Sequence, residues 1–302
     1  MHKTLSLPTL IAVGFLGMSM FAQTPSARSK ESIYVGILDD AREEMVNWKP
    51  GVAQERIVRP LFKKAPERWT MLDGNSLPTR MSWTVGFDGR NLGTVETEAG
   101  TEGFTPIQKI LTPKSAISTV GVPSGQFSGL LGGGGETKVR RPLVAVSRPY
   151  VQDPDGWKRT RLPNEIAVLV RAAFRHDYPQ VDRCKDEEIV ERNWKFPDSV
   201  LSFPVAYGSN KHSFLVQSEL NAGNCGYISE PDEPKSEPWF SVSSDGSVRR
   251  IGSFLTLLDA GDYDNDGRSE VVFLISQGEN TDGFVLFDSA FGKPVTVTWD
   301  YH

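Results

Sequence analysis

Leu258-Asp259-Ala260-Gly261-Asp262-Tyr263-Asp264-Asn265-Asp266-Gly267-Arg268-Ser269-Glu270-Val271-Val272 is the stretch on which the reading of this chain turns. Counted from Asp262, carboxylates stand at positions one, three, five and nine, and glycine at six. Four acids this close repel one another unless a cation lies among them. Calcium accepts roughly six to eight hard oxygen ligands, so Asp262, Asp264, Asp266, the carbonyl of Arg268 and Glu270 form an apt donor set. Gly267 permits the sharp turn that would fold the chain around the ion. Magnesium is disfavoured because it resists a cage built wholly of protein oxygens. The alternative is a solvated acidic turn.

An EF-hand also opens Asp-x-Asp-x-Asp-Gly, but it requires glutamate at position twelve and flanking helices. Position twelve is Phe273, and the flanks 255–259 and 271–275 are short apolar runs that read as strands. The loop is therefore expected to join two β-strands. In this respect it resembles the calcium loop of FG-GAP and VCBS-type repeats, found in the β-propellers of integrin α-chains and in many exported bacterial proteins. The resemblance covers residues 254–288, in one copy. It implies a single structural Ca2+ held by Asp262, Asp264, Asp266, the Arg268 carbonyl and Glu270, with the loop between neighbouring strands of a blade. Glu270 departs from the Asp usual at the ninth position. Asp153-Pro154-Asp155-Gly156 and Asp88-Gly89 are at most fragments of further copies.

Outward from the loop, short β-prone runs alternate with turn residues. Residues 56–62 and 68–72 flank a proline turn. Residues 83–87 and 92–96 flank Asp88-Gly89-Arg90-Asn91, a hairpin signal because glycine tolerates positive φ. Residues 239–243 and 248–251 flank Ser244-Asp245-Gly246, and further runs occupy 213–217, 255–258, 270–275, 284–287 and 295–299. The apolar run 165–174, rich in β-branched residues and introduced by Pro163-Asn164, is expected to be a buried strand, with helix as the alternative. One short helical turn is expected from Asp39 to Met45. The chain reads as all-β, with an irregular β-propeller-like architecture the first expectation and a β-sandwich the alternative. Residues 125–135 (GQFSGLLGGGG) and 230–238 (EPDEPKSEP) read as surface loops.

The N-terminus reads as a cleavable signal peptide over residues 1–27: Lys3, an apolar run from Leu5 to Phe21, then small residues from Ala22 to Ala27. An uncleaved anchor is the alternative. No cysteine follows the run, which excludes a lipoprotein, and no second apolar stretch approaches the ~18 residues of a membrane span. The expected organisation is a signal followed by one β-rich domain, 28–302, secreted or periplasmic. Cys184 and Cys225 are the only cysteines. In an oxidising compartment they suggest one disulfide closing a loop of about 40 residues, and two unpaired buried thiols are the alternative. A net charge of −5 and a pI near 5.5 offer no electrostatic footprint for nucleic acid.

No arrangement of catalytic residues is legible. His176 and His212 are the candidate bases, but no Gly-x-Ser-x-Gly supplies a serine nucleophile. Gly135-Glu136-Thr137-Lys138 does not continue the glycine run into a phosphate loop. Asp186, Glu187 and Glu188 read as a solvated charge run. The expectation is an exported, non-catalytic calcium-binding module for a protein or glycan. A secreted hydrolase or lyase on a calcium-stabilised β-scaffold is the second reading, and a domain whose calcium loop is a relic of repeat decay the third.

Overall fold

A computed structural model describes residues 32–40, 56–66, 68–72, 77–87, 90–100, 105–111, 117, 142–149, 152–186, 188–223, 237–276 and 281–300. The expected signal peptide, the loop 125–135 and Cys225 lie outside these residues, as does most of the expected helical turn, whose Asp39 and Asp40 instead end a strand. All-β is the observed class.

The first part of the chain forms an antiparallel barrel. Its strands are β1 (Ile33–Asp40), β2 (Arg56–Lys64), β3 (Trp69–Met71), β4 (Arg80–Phe87), β5 (Arg90–Ala99), β6 (Gln108–Ile110) and β7 (Leu143–Val146). The order β1-β7-β4-β5-β6-β2 closes because β2 also pairs with β1, from Ile33↔Lys64 to Asp40↔Arg56. Strand β3 lies against the end of β2 that β6 does not cover. Closure removes the unpaired edges of an open sheet. Alternation then divides the side chains: in β7, Leu143 and Ala145 join the barrel interior, and Val144 and Val146 join the core outside it. Inside, the buried Trp83 indole N–H donates to Thr97 Oγ1 and Gln108 Oε1, each at 2.9 Å, and Gln108 Nε2 donates to the Pro78 carbonyl at 3.0 Å. These polar groups are thus paired within the apolar interior.

The middle of the chain forms a second sheet, ordered β14-β13-β12-β11-β8. Its strands are β8 (Lys158–Arg159), β11 (Leu201–Gly208), β12 (Phe214–Leu220), β13 (Trp239–Val242) and β14 (Val248–Gly252). The hairpin of β9 (Val181–Lys185) and β10 (Glu188–Trp194) stands apart as a two-stranded ribbon, with Asp186 in its turn at φ 50°.

Here one expectation is corrected. Residues 165–174 belong to a helix, α1 (Asn164–Asp177), and not to a buried strand. Ile166, Leu169, Val170, Ala173 and Phe174 follow the i, i+3, i+4, i+7, i+8 spacing and pack on the second sheet. Glu165 in the first turn and Arg175 and His176 in the last complement the helix dipole. A continuous apolar stripe outweighs the modest helix penalty of the β-branched residues.

The last sheet is a meander of β15 (Leu255–Gly261), β16 (Glu270–Ser276), β17 (Thr281–Phe287) and β18 (Val295–Asp300). It is buried on both faces. Val272, Phe284 and Leu286 pack against Val35, Phe62 and other residues on the outside of the barrel. Val271, Phe273, Val285 and Phe287, which alternate with them, pack towards Leu215 and Trp239 of the second sheet. Unbroken apolar runs such as Val271–Ile275 are what two-sided burial demands. Both cores meet at the meander, so the order of layers is barrel, meander, second sheet, helix. Among the described residues no helix is long and apolar enough to cross a membrane.

Candidate cation site

The acidic loop connects β15 to β16, as the sequence implied. Its mouth is the register pair Gly261↔Glu270, so the ladder fixes both ends of the loop. Asn265 and Gly267 adopt left-handed φ values of 58° and 86°, and these two residues turn the chain back on itself.

The carboxylates are held by the loop's own backbone. Asp262 Oδ1 accepts the Asp266 N–H and Oδ2 accepts the Gly267 N–H, both at 2.9 Å. Asp264 Oδ1 accepts the Asp266 N–H at 3.1 Å, and Glu270 Oε2 accepts the Tyr263 N–H at 2.8 Å. Carboxylate oxygens of Asp262, Asp264 and Glu270 lie within 4.8 Å of one another, near enough to share a metal ion. Asp266 and Arg268 are exposed; the Asp266 carboxylate is not one of that group, and its Oδ1 accepts the Arg268 N–H at 2.9 Å and braces the turn.

Burial makes this convergence costly for negative charge. Glu270 is 2% exposed. Desolvation, and then the charge of Asp264, push its carboxyl up to about 8, against the lowering effects of the Tyr263 N–H and Lys64. Burial raises Asp262 as well, in opposition to its two backbone hydrogen bonds. Acids that would otherwise be driven to protonate fit a hard divalent cation, whose charge restores the ionised form.

Residues that the sequence reading did not assign to the site surround the loop. The Lys64 ammonium, from the end of β2, pairs with Asp264 Oδ2. Asn265 Oδ1, in the amide orientation its neighbours favour, accepts from the Arg148 guanidinium at 2.8 and 2.9 Å. Ser269, fully buried, donates its hydroxyl to Asp153 Oδ1. Asp153 in turn accepts the N–H groups of Asp155, Gly156 and Trp157, and Asp155 Oδ1 pairs with Lys211 at 2.5 Å. The fragment Asp153-Pro154-Asp155-Gly156 thus buttresses the acidic loop. Ser269, between Arg268 and Glu270, carried no signal of this, because its partners lie more than a hundred residues away.

His176 and His212, the histidines among the described residues, are not drawn into the site. His176 is 89% exposed, with Nδ1 at 3.1 Å from Asp177 Oδ1. His212 lies in the exposed turn between β11 and β12, its backbone N–H donating to the Ser209 carbonyl at 3.1 Å. Cys184 is buried on β9.

Comparison of the chain with protein-family models, with curated proteins and with solved structures finds no match.

Proposed function

We propose that the protein is an exported calcium-binding module that recognises a protein or glycan through its surface, with one structural Ca2+ held in the loop 262–270. The observation that carries the cation is the convergence of Asp262, Asp264 and Glu270, two of them nearly inaccessible to water, within 4.8 Å. Asp266 and the Arg268 carbonyl complete the donor set implied by the FG-GAP and VCBS-type resemblance. The strands on either side of the loop fit that resemblance, and the successive four-stranded meanders β11–β14 and β15–β18 suit a propeller-like array or a sandwich of stacked sheets. Export follows from the signal-like N-terminus, and with it a Cys184–Cys225 disulfide. The exposed positions of His176 and His212 favour a binding module over a hydrolase or lyase.

Thermal unfolding in excess Ca2+ and in excess chelator tests the cation. At roughly a hundredfold excess over Kd, a ligand specific to the native state stabilises it by about 2.7 kcal/mol, a rise in midpoint of about 5–10 °C for a chain of this size. Coincident melting curves would sink the proposal. Asp262→Asn is expected to remove most of the difference.

A further inference from the structure

We infer that Lys64 sets the affinity of the loop for its cation by competing with the ion for Asp264, so that loading of the loop is linked to the barrel strand that carries Lys64. This rests on the calcium reading above and deepens it. Lys64 is the last residue of β2, paired in register with Ile33 of β1 on one side and Trp69 of β3 on the other. Its ammonium bonds Asp264 Oδ2, while Asp264 Oδ1 accepts the Asp266 N–H. Both oxygens of a carboxylate that the loop would offer to the ion are therefore engaged, one of them by a positive charge from the barrel. The pair is well shielded, its side chains being 21% and 6% exposed, so it is screened less than a surface ion pair.

A divalent ion among Asp262, Asp264 and Glu270 can meet this ammonium in two ways. It displaces the ammonium and forfeits a partly buried ion pair, or it shares Asp264 and feels like-charge repulsion over a few ångströms. Both weaken binding, so the sign of the effect does not depend on which occurs. Trp69 offers the displaced ammonium a second seat, since Lys64 Nζ already lies 5.2 Å from the indole centroid. Movement of the ammonium between Asp264 and the indole face would change the surroundings of Trp69, which makes its fluorescence a local reporter.

The experiment measures Ca2+ binding by calorimetry on the full chain and on Lys64→Met, Lys64→Gln and Lys64→Arg. Methionine keeps an unbranched stem over Trp69 without the charge; Lys64→Gln gives the same reading should that variant fold poorly. The neutral variants are expected to bind Ca2+ at least about fivefold more tightly, and Lys64→Arg to stay within about twofold of the parent chain. The calcium-dependent change in Trp69 emission, assigned by its loss in Trp69→Phe, should disappear in Lys64→Met. Tight binding by a neutral variant alone, with none by the parent chain, supports the inference in its strongest form. Equal or weaker binding by folded neutral variants overturns it and leaves the calcium reading standing. Absence of binding in every variant overturns both.

Discussion

Asp155 and Ser269, separated by 114 positions in the chain, are joined through two backbone N–H groups. That of Asp155 donates to Ser269 Oγ at 3.2 Å, and that of Ser269 donates to Asp155 Oδ2 at 3.5 Å. The exchange ties the back of the acidic loop to the segment that leads into β8, and Lys64 ties its front to the barrel. The loop is thus anchored to two other parts of the fold.

Ser269→Ala removes the buried hydroxyl that donates to Asp153 and accepts from the Asp155 N–H, which keeps Asp153 Oδ1 as its other acceptor at 3.0 Å. The expected cost is about 1–3 kcal/mol, because loss of one member of a buried pair exposes the desolvation penalty of the other. Urea unfolding at neutral pH measures it. A change below about 0.5 kcal/mol would mean that water replaces the hydroxyl.

The elevated Glu270 carboxyl gives stability a pH dependence of known sign. The folded state holds this proton up to about 8, whereas the unfolded chain releases it near the ordinary glutamate value of 4.5. Between those limits the folded state binds more protons, so in chelator stability falls as pH rises through this window. Ca2+ should flatten or reverse that slope by favouring the ionised form, and Glu270→Gln should remove this group's share of it. Unfolding midpoints from pH 5 to 8.5, with and without Ca2+, provide the check; a chelator-treated protein that gains stability across the window contradicts the assignment.

Two-sided burial of the last meander makes adjacent residues equally intolerant. Val272 faces the barrel and Phe273 faces the second sheet, and neither is exposed. Val272→Ser and Phe273→Ser are each expected to cost about 2–5 kcal/mol, from lost apolar burial and the space left behind. In a sheet with one wet face, one of the two would be nearly neutral. Chemical denaturation of the pair distinguishes the arrangements.

Val168 and Val170 report on the helix. Two residues apart, they would share a face in a strand, but in α1 Val168 is 58% exposed and Val170 is fully buried. Val168→Lys should change stability by no more than about 0.5 kcal/mol, and Val170→Lys should prevent or severely weaken folding. Equivalent damage at both positions would restore the strand reading.

Legibility from sequence followed the range of the forces involved. The hairpins around 88–89 and 244–246 could be read because turn chemistry and period-two alternation act over a few residues, and β4–β5 and β13–β14 form there. The run 165–174 has the β-branched composition of a strand, but its apolar residues fall at helical spacing, and packing of that stripe on the second sheet decides for the helix. The pairing of β1 (Ile33–Asp40) with β7 (Leu143–Val146), which helps to close the barrel, joins segments far apart in the chain and has no local signature.

The sequence by itself determined the all-β class, the strand–loop–strand setting of residues 262–270 and the identity of the acids, because local spacing and the shortest-range repulsions dictate these. Only the tertiary structure decided that the strands of residues 33–146 close into a barrel, that the last meander is buried on both faces, and that Asp262, Asp264 and Glu270 converge while Asp266 stands outside. It also brought Lys64, Asp153 and Asp155 to the loop, contacts between residues distant in the chain that packing creates and no local pattern encodes.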